Sequence, residues 1–385
     1  MIRADQPTET LLPWLLSGVL LLLTAPAIAP AQPPIGAEIQ VNSYTTGNQT
    51  QPAIAATASG GFVIAWRSFG SVGDDNSDYC IQARPFDSAG VPISDQFQVN
   101  TYTTQRQQYP AVAADDAGNF VVVWENREGA GGDTDYSIQG QRYDSAGTPL
   151  GLQFLVNAYT PNSQFVPAVA MAPDGDFIVV WQSSGGFFAL DPDVSIQAQR
   201  FNSSGATVGG QFQVNTQTLN LQQFPDVAMN SDDSFIVAWA SQSSAGTDTS
   251  ARSIQARRFD SNGIPLGADF QMNTYTTNNQ NFPEVAVDAD GNFVVVWHSD
   301  GSFGTDTDSE SVQGQRYAAN GRWGRSSRST PTRCASRTFP KSPWTRAAVS
   351  SSPGRTSMRD TFPSRGGATI RSASRRATSS RSAHR

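Results

Sequence analysis

Phe282-Pro-Glu-Val-Ala-Val-Asp-Ala-Asp-Gly-Asn-Phe-Val-Val-Val-Trp297 is the stretch that decides the fold. Its first part alternates, which puts Val285 and Val287 on one face of a strand. Asp290-Gly291-Asn292 then reads as a tight hairpin turn, because glycine accepts the positive φ that such turns require. Phe293 to Trp297 is unbroken, apolar and β-branched, the composition of a strand buried on both faces. A third strand follows at Val312-Gln-Gly-Gln-Arg-Tyr317. In the earlier copies a Gly turn leads to a fourth, as in Pro265 to Asn273.

The chain repeats this unit. Trp66, Trp124, Trp181, Trp239 and Trp297 are separated by 58, 57, 58 and 58 residues, and Asn42, Asn100, Asn157, Asn215 and Asn273 keep the same steps. Periods of this length indicate solenoids, propellers or arrays. No copy carries a 3.6-residue apolar stripe, so no helix is expected. Four antiparallel strands per unit, repeated radially, predict an all-β fold: a β-propeller of five in-frame blades across residues 37–321, open or incomplete for want of its last blades. Ala37-Glu-Ile-Gln-Val-Asn42 matches the fourth strand of a blade whose first three are missing. The expectation is that it completes the last blade and removes exposed edges.

The two ends read differently from the repeats. Arg3, the apolar Leu11 to Leu23 and the small residues Ala29 and Ala31 predict an export signal over residues 1–31, followed by a short linker at 32–36. A secreted or cell-surface protein follows. The apolar core is shorter than the roughly 20 residues that span a bilayer. The last 64 residues, 322–385, hold 15 basic residues and one acid, against 11 Arg and 32 acids before them. Arg322-Trp-Gly-Arg-Ser-Ser-Arg-Ser-Thr-Pro-Thr332 is what a repeat start of the form Pro-Val-Gly-Ala-Glu-Phe-Gln-Val-Asn-Thr-Tyr yields when read one nucleotide late. This basic low-complexity tail is therefore read as a frameshifted sixth blade without packed structure, in preference to a polyanion-binding arm.

Composition excludes several chemistries. There is one Lys (Lys341), and there are two Cys (Cys80, Cys334) and two His (His298, His384). A P-loop, a Schiff-base lysine, a His-rich metal centre and a disulfide framework are all unsupported. The acidic body repels nucleic acid.

The unit Phe-Gln-Val-Asn-Thr-Tyr-Thr-Thr … Gly-Asn-Phe-Val-Val-Val-Trp … Ile-Gln-Gly-Gln-Arg-Tyr resembles repeats of large secreted bacterial β-propeller-like proteins. The resemblance covers Ala37 to Gly321 and implies no established activity. In this chain a Gly/Asp-rich loop follows each Trp, carrying Asp74, Asp75 and Asp78, then Asp133 and Asp135, Asp191 and Asp193, Asp248, and Asp306 and Asp308. These acids read first as a solvated rim. The sharper reading makes Asp133, Asp135, Asp191, Asp193, Asp306 and Asp308 weak Ca²⁺ ligands, at dissociation constants of about 10⁻⁴–10⁻³ M. No other cofactor is implied. The Trp series is expected in the core, Arg142, Arg200, Arg258 and Arg316 on buried carbonyls or acids between blades, and the small residues Ala83, Gly140, Ala198, Ala256 and Gly314 at close approaches between sheets.

Evenly distributed acids and a lone body histidine argue against catalysis. The functional expectation is an exported, non-enzymatic propeller that binds a protein or carbohydrate ligand, with no nucleic-acid partner and no membrane span. The alternative is a carboxylate-dependent, glycan-active enzyme, which would break the repeat with singular acids.

Overall fold

The computed structural model describes residues 36–319, except 77, 128–134, 186–192, 243, 302–303 and 306–308. The proposed export signal, the linker before Gly36 and the basic tail lie outside these residues. Each repeat forms one antiparallel sheet, strands in chain order. Blade 1 holds β1 (Gln49–Ala56), β2 (Phe62–Phe69), β3 (Tyr79–Phe86) and β4 (Phe97–Gln98). Blade 2 holds β5 (Gln107–Ala114), β6 (Phe120–Arg127), β7 (Tyr136–Tyr143) and β8 (Phe154–Leu155). Blade 3 holds β9 (Gln164–Met171), β10 (Phe177–Ser184), β11 (Val194–Phe201) and β12 (Thr207–Gln213). Blade 4 holds β13 (Gln222–Met229), β14 (Phe235–Ser241), β15 (Ser253–Phe259) and β16 (Phe270–Gln271), and blade 5 has β17 (Gln280–Val287), β18 (Phe293–Asp300) and β19 (Glu310–Tyr317). No helix long and apolar enough to cross a membrane occurs among the described residues.

The fold is a propeller-like array of five sheets. β1 packs on β5, β5 on β9, β9 on β13 and β13 on β17, so the first strand of every blade is the innermost. Four apolar clusters join consecutive blades by one rule. Val63, Ala65 and Ile81 of blade 1 meet Val122 and Trp124 of blade 2, and Val121, Val123 and Ile138 meet Val179 and Trp181. Ile178, Val180 and Ile196 meet Val237 and Trp239, and Ile236, Ala238 and Ile254 meet Val295 and Trp297. One face of each second strand therefore looks forward and the other back, which is why the sequence there is apolar without alternation. The end blades show the converse. Ile64 is half-buried in blade 1, and Val296 is exposed in blade 5, each on the face that lacks a neighbour.

The small residue at Gly140 makes room inside its own sheet rather than between sheets. A Cβ on Gly140 would lie 2.6 Å from the Phe154 ring. That ring packs 5.4 Å from Phe201 of the next blade. The repeat asparagines pin strand ends. Asn100, Asn157, Asn215 and Asn273 accept through Oδ1 from the amides of Ile81, Ile138, Ile196 and Ile254 at 2.8–2.9 Å.

One expectation about the ends needs correction. The fifth sheet has three described strands, and the place of a fourth, after Gly321, lies outside the described residues. Residues 37–42 do not complete that blade and form no strand. They lie against blade 1 instead. Arg84 donates to the Val41 carbonyl at 3.2 Å and the Ser43 amide to Gln96 at 2.8 Å. Arg257 treats Val214, the end of blade 3, in the same way at 2.8 Å. The segment thus acts as the tail of a preceding blade, as its sequence register dictates, and leaves the β19 edge exposed, with Val312 73% accessible.

Candidate functional site

Every innermost strand carries the same irregularity. Register slips by one residue between Thr50 and Ala53, Gln108 and Ala111, Gln223 and Asp226, and Asn281 and Glu284, and a matching slip opposite Val180–Gln182 marks β9. At each bulge sits a non-glycine residue with left-handed φ: Gln51 at 54°, Tyr109 at 52°, Val166 at 46°, Phe224 at 54° and Phe282 at 51°. Such a conformation costs about 1–3 kcal/mol and persists only where the surroundings fix it. Two of the fixing groups, Glu125 and Gln182, come from the residue after the repeat Trp, a position that differs in all five copies: Arg67, Glu125, Gln182, Ala240 and His298.

Each blade junction is bridged differently. At the first, Arg67 Nη1 donates to Gln108 Oε1 at 3.4 Å and its guanidinium covers Tyr79 at 4.1 Å, while Gln51 accepts from the Tyr109 amide at 3.0 Å. At the second, Glu125 Oε2 accepts from the Val166 amide at 3.3 Å and Oε1 from Gln108 Nε2 at 2.8 Å. At the third, Gln182 Oε1 accepts from the Phe224 amide at 2.6 Å. At the fourth, Ala240 has no polar group. Arg252 reaches Gln223 at 2.9 Å and Asn281 at 3.4 Å, and Phe224 packs 4.3 Å from Phe282.

Glu125 is the chemically unusual member. It is 2% exposed, and burial pushes its carboxyl up to about 7. The bonds from Gln108 and Val166 and the charge of Arg106 pull the other way, and the charge of Asp135 adds to the rise. Asp135 itself is solvent-exposed and takes a short hydrogen bond from the Ser163 hydroxyl. A buried carboxyl poised near neutrality beside an exposed carboxylate is the environment pair that splits acid and base roles. Half-buried aromatic rings stand nearby on the same end of the blades: Tyr79 and Tyr109, then Tyr136 with its ring 5.8 Å from Phe165.

Blade 2 departs from the repeat around this residue. In the other four blades the indole Nε1 donates to a glutamine on the innermost strand: Trp66 to Gln49, Trp181 to Gln164, Trp239 to Gln222 and Trp297 to Gln280, at 2.9–3.2 Å. Gln107 instead donates to Asn126 Oδ1 and accepts from Asn100 Nδ2, each at 3.2 Å, and the buried Trp124 Nε1 has no partner. The glutamine series was there to be found, since it keeps the period of the Trp series at a constant offset. At one position of the innermost strand blades 4 and 5 carry acids, Asp226 and Glu284, where blades 1 to 3 carry Ala53, Ala111 and Ala168. Asp226 Oδ2 accepts from the Val285 amide of the next blade at 2.7 Å.

Of the six proposed calcium ligands, Asp135 and Asp193 fall among the described residues. Asp133, Asp191, Asp306 and Asp308 lie outside the described residues. Asp135 is held by Ser163, and Asp193 accepts from the Asn220 amide at 3.0 Å. Asp75 and Asp248 are buried and hold the repeat asparagines, at 2.9 Å to Asn100 and 2.7 Å to Asn273. Among the described residues no three His, Cys, Asp or Glu side chains cluster as a metal site.

No known family description matches the chain, and no curated protein is significantly similar to it. Several solved structures are similar to it at low identity. A thermostable family-43 glycoside hydrolase is 15% identical over 72% of this chain and 91% of its own, with a TM-score of 0.39. An α-L-arabinanase from Penicillium chrysogenum, complexed with arabinobiose, is 14% identical over 69% of this chain and 76% of its own, at 0.43. An α-L-arabinofuranosidase from Fusarium graminearum, bound to an iminosugar inhibitor, is 12% identical over 71% and 79%, at 0.46. The non-enzymatic scaffold expected from the sequence is corrected at this point. Its premise of evenly distributed acids fails, because Glu125 stands in a slot with no acid in the other copies, and Asp226 and Glu284 replace alanines in two of the five.

Proposed function

We propose that this protein is a glycan-active propeller of glycoside-hydrolase type, with its chemistry at the junction of blades 2 and 3. One observation carries the reading. Gln182 does for Phe224 the structural task that Glu125 does for Val166, so a neutral amide suffices to hold a bulge amide. An ionisable group in that slot, raised to about 7 by burial, is surplus to structure and suited to general acid catalysis near neutral pH. Glu125 is assigned as the proton donor to the departing glycosidic oxygen. Asp135 is the exposed carboxylate that serves as base toward water or as nucleophile. The aromatic rings at the same end supply apolar faces for sugar stacking.

The reading is tested by incubating the protein with arabinan, xylan, galactan and aryl glycosides and measuring reducing-end release. Activity on one of these, lowered about 10²–10⁴-fold in Glu125→Gln and in Asp135→Asn, is the expected result. Absence of release on the whole panel, or full activity in Glu125→Gln, overturns it.

A further inference from the structure

At the opposite end of the blades, the residue before the aromatic of the third strand closes three of the four described junctions. Arg142 donates from Nη1 and Nη2 to the carbonyls of Ser204 and Ser203 in the next blade. Arg200 donates to the Ser261 carbonyl, and Arg258 to the Ala319 carbonyl at 3.0 Å. The arginines thus run from blade 2 to 3, 3 to 4 and 4 to 5. Blade 1 has Pro85 in this place, opposite Val63 as Arg142 stands opposite Val121. Proline at that position has neither a guanidinium nor any other side-chain donor to offer the next blade.

A cavity of about 390 Å³ opens at this junction, against about 220 Å³ at the blade 4–blade 5 junction, where Arg258 reaches in. Ser145 and Ala146 line it, and they are the blade 2 counterparts of Ser203 and Ser204, whose carbonyls hold Arg142. Phe62 and Phe86, stacked at 5.0 Å, form an apolar wall, and Asp87 is the acid of the lining. The cavity therefore keeps the carbonyl end of the arginine site, with room and an aromatic wall, and lacks the arginine.

We propose that this cavity is a binding site for a guanidinium group carried by another molecule, such as the arginine side chain of a peptide. The planar fork would lie where the Arg142 fork lies in the next junction, its N–H groups toward the Ser145 and Ala146 carbonyls and its face near the Phe62–Phe86 stack, with Asp87 favouring positive charge. This site is at the far end of β2 and β6 from Glu125 and does not depend on the glycan reading.

The test titrates the full-length protein with acetyl-Gly-Arg-Gly-amide, with agmatine as a free guanidinium, and with the lysine peptide as control, read by calorimetry. Saturable binding of both guanidinium compounds, at least about tenfold weaker for lysine, is expected, since an ammonium lacks the fork. Pro85→Arg restores the repeat. It should abolish binding and raise the melting temperature by about 2–4 °C, the scale of one added charge-assisted hydrogen bond in a domain of this size. Ser59→Trp, a change of an exposed turn residue in the lining, should abolish binding without touching the core. The proposal is overturned by no saturable heat at millimolar peptide, by equal binding of the lysine peptide, or by unchanged binding in the variants.

Discussion

Replacing Glu125 by Gln should make the protein more stable above neutral pH while removing its proposed chemistry. The carboxyl titrates near 7 in the folded chain and near 4.5 when free. Below about 4.5 it is protonated in both states and makes no difference to stability. Between 4.5 and 7 the unfolded chain has released a proton that the folded chain keeps, so stability falls as pH rises, and above 7 the loss is complete. A shift of this size corresponds to about 3 kcal/mol at pH 8. Glutamine carries no such penalty. Its amide oxygen can accept from the Val166 amide as Gln182 accepts from Phe224, and a turned Gln108 amide can present its own oxygen in exchange for the long 3.4 Å contact with Arg67. Thermal unfolding from pH 5 to 8 reads the effect. The wild type should lose roughly 6–12 °C relative to Glu125→Gln across this window. Parallel profiles for the two proteins would refute a buried carboxyl with a raised pKa, and the assignment of Glu125 as proton donor with it.

Three other outcomes follow from described contacts. Asp233→Gly should stabilise the protein by about 1 kcal/mol in urea unfolding, because Asp233 has a left-handed φ of 63° where the other hairpins carry Gly60, Gly118, Gly175 and Gly291. Asn215→Ala should destabilise by about 1–3 kcal/mol in the same assay, since it leaves the buried Ile196 amide without its 2.8 Å acceptor. Cys80 is fully buried and burial pushes its thiol up to about 11, so it should resist thiol reagents at pH 8 in the native protein and react on unfolding.

The blades were legible because burial on both faces forces an unbroken apolar strand, and a radial repeat forces that strand to recur at a fixed spacing. Phe293-Val-Val-Val-Trp297 carried both signals. The hairpin glycines and the end-of-strand asparagines recur for equally local reasons. The site was harder to see. Glu125 stands out in an alignment of the copies, but what matters is that the Val166 amide points at it across a junction, a relation no single repeat contains. The loop acids drew attention because they are numerous, yet Asp75, Asp135, Asp193 and Asp248 hold backbone and side-chain groups of their surroundings. The orphan segment 37–42 forms no strand, although Val41 is held as Val214 is at the end of blade 3. Its partner was misjudged, because register with the following blade decides its place, not the vacancy on β19.

The slot after the repeat Trp has a consequence for how such a protein diversifies. Blade-to-blade packing is carried by Trp and the Val, Ile and Ala positions, and the strand ends by Asn; none of these needs a particular neighbour in the slot. A single codon there exchanges cation, acid, amide or methyl at one junction while the other junctions keep theirs. Tandem duplication followed by independent drift of five letters would then yield new junction chemistries on an unchanged chassis, and a library randomised at 67, 125, 182, 240 and 298 would sample them directly.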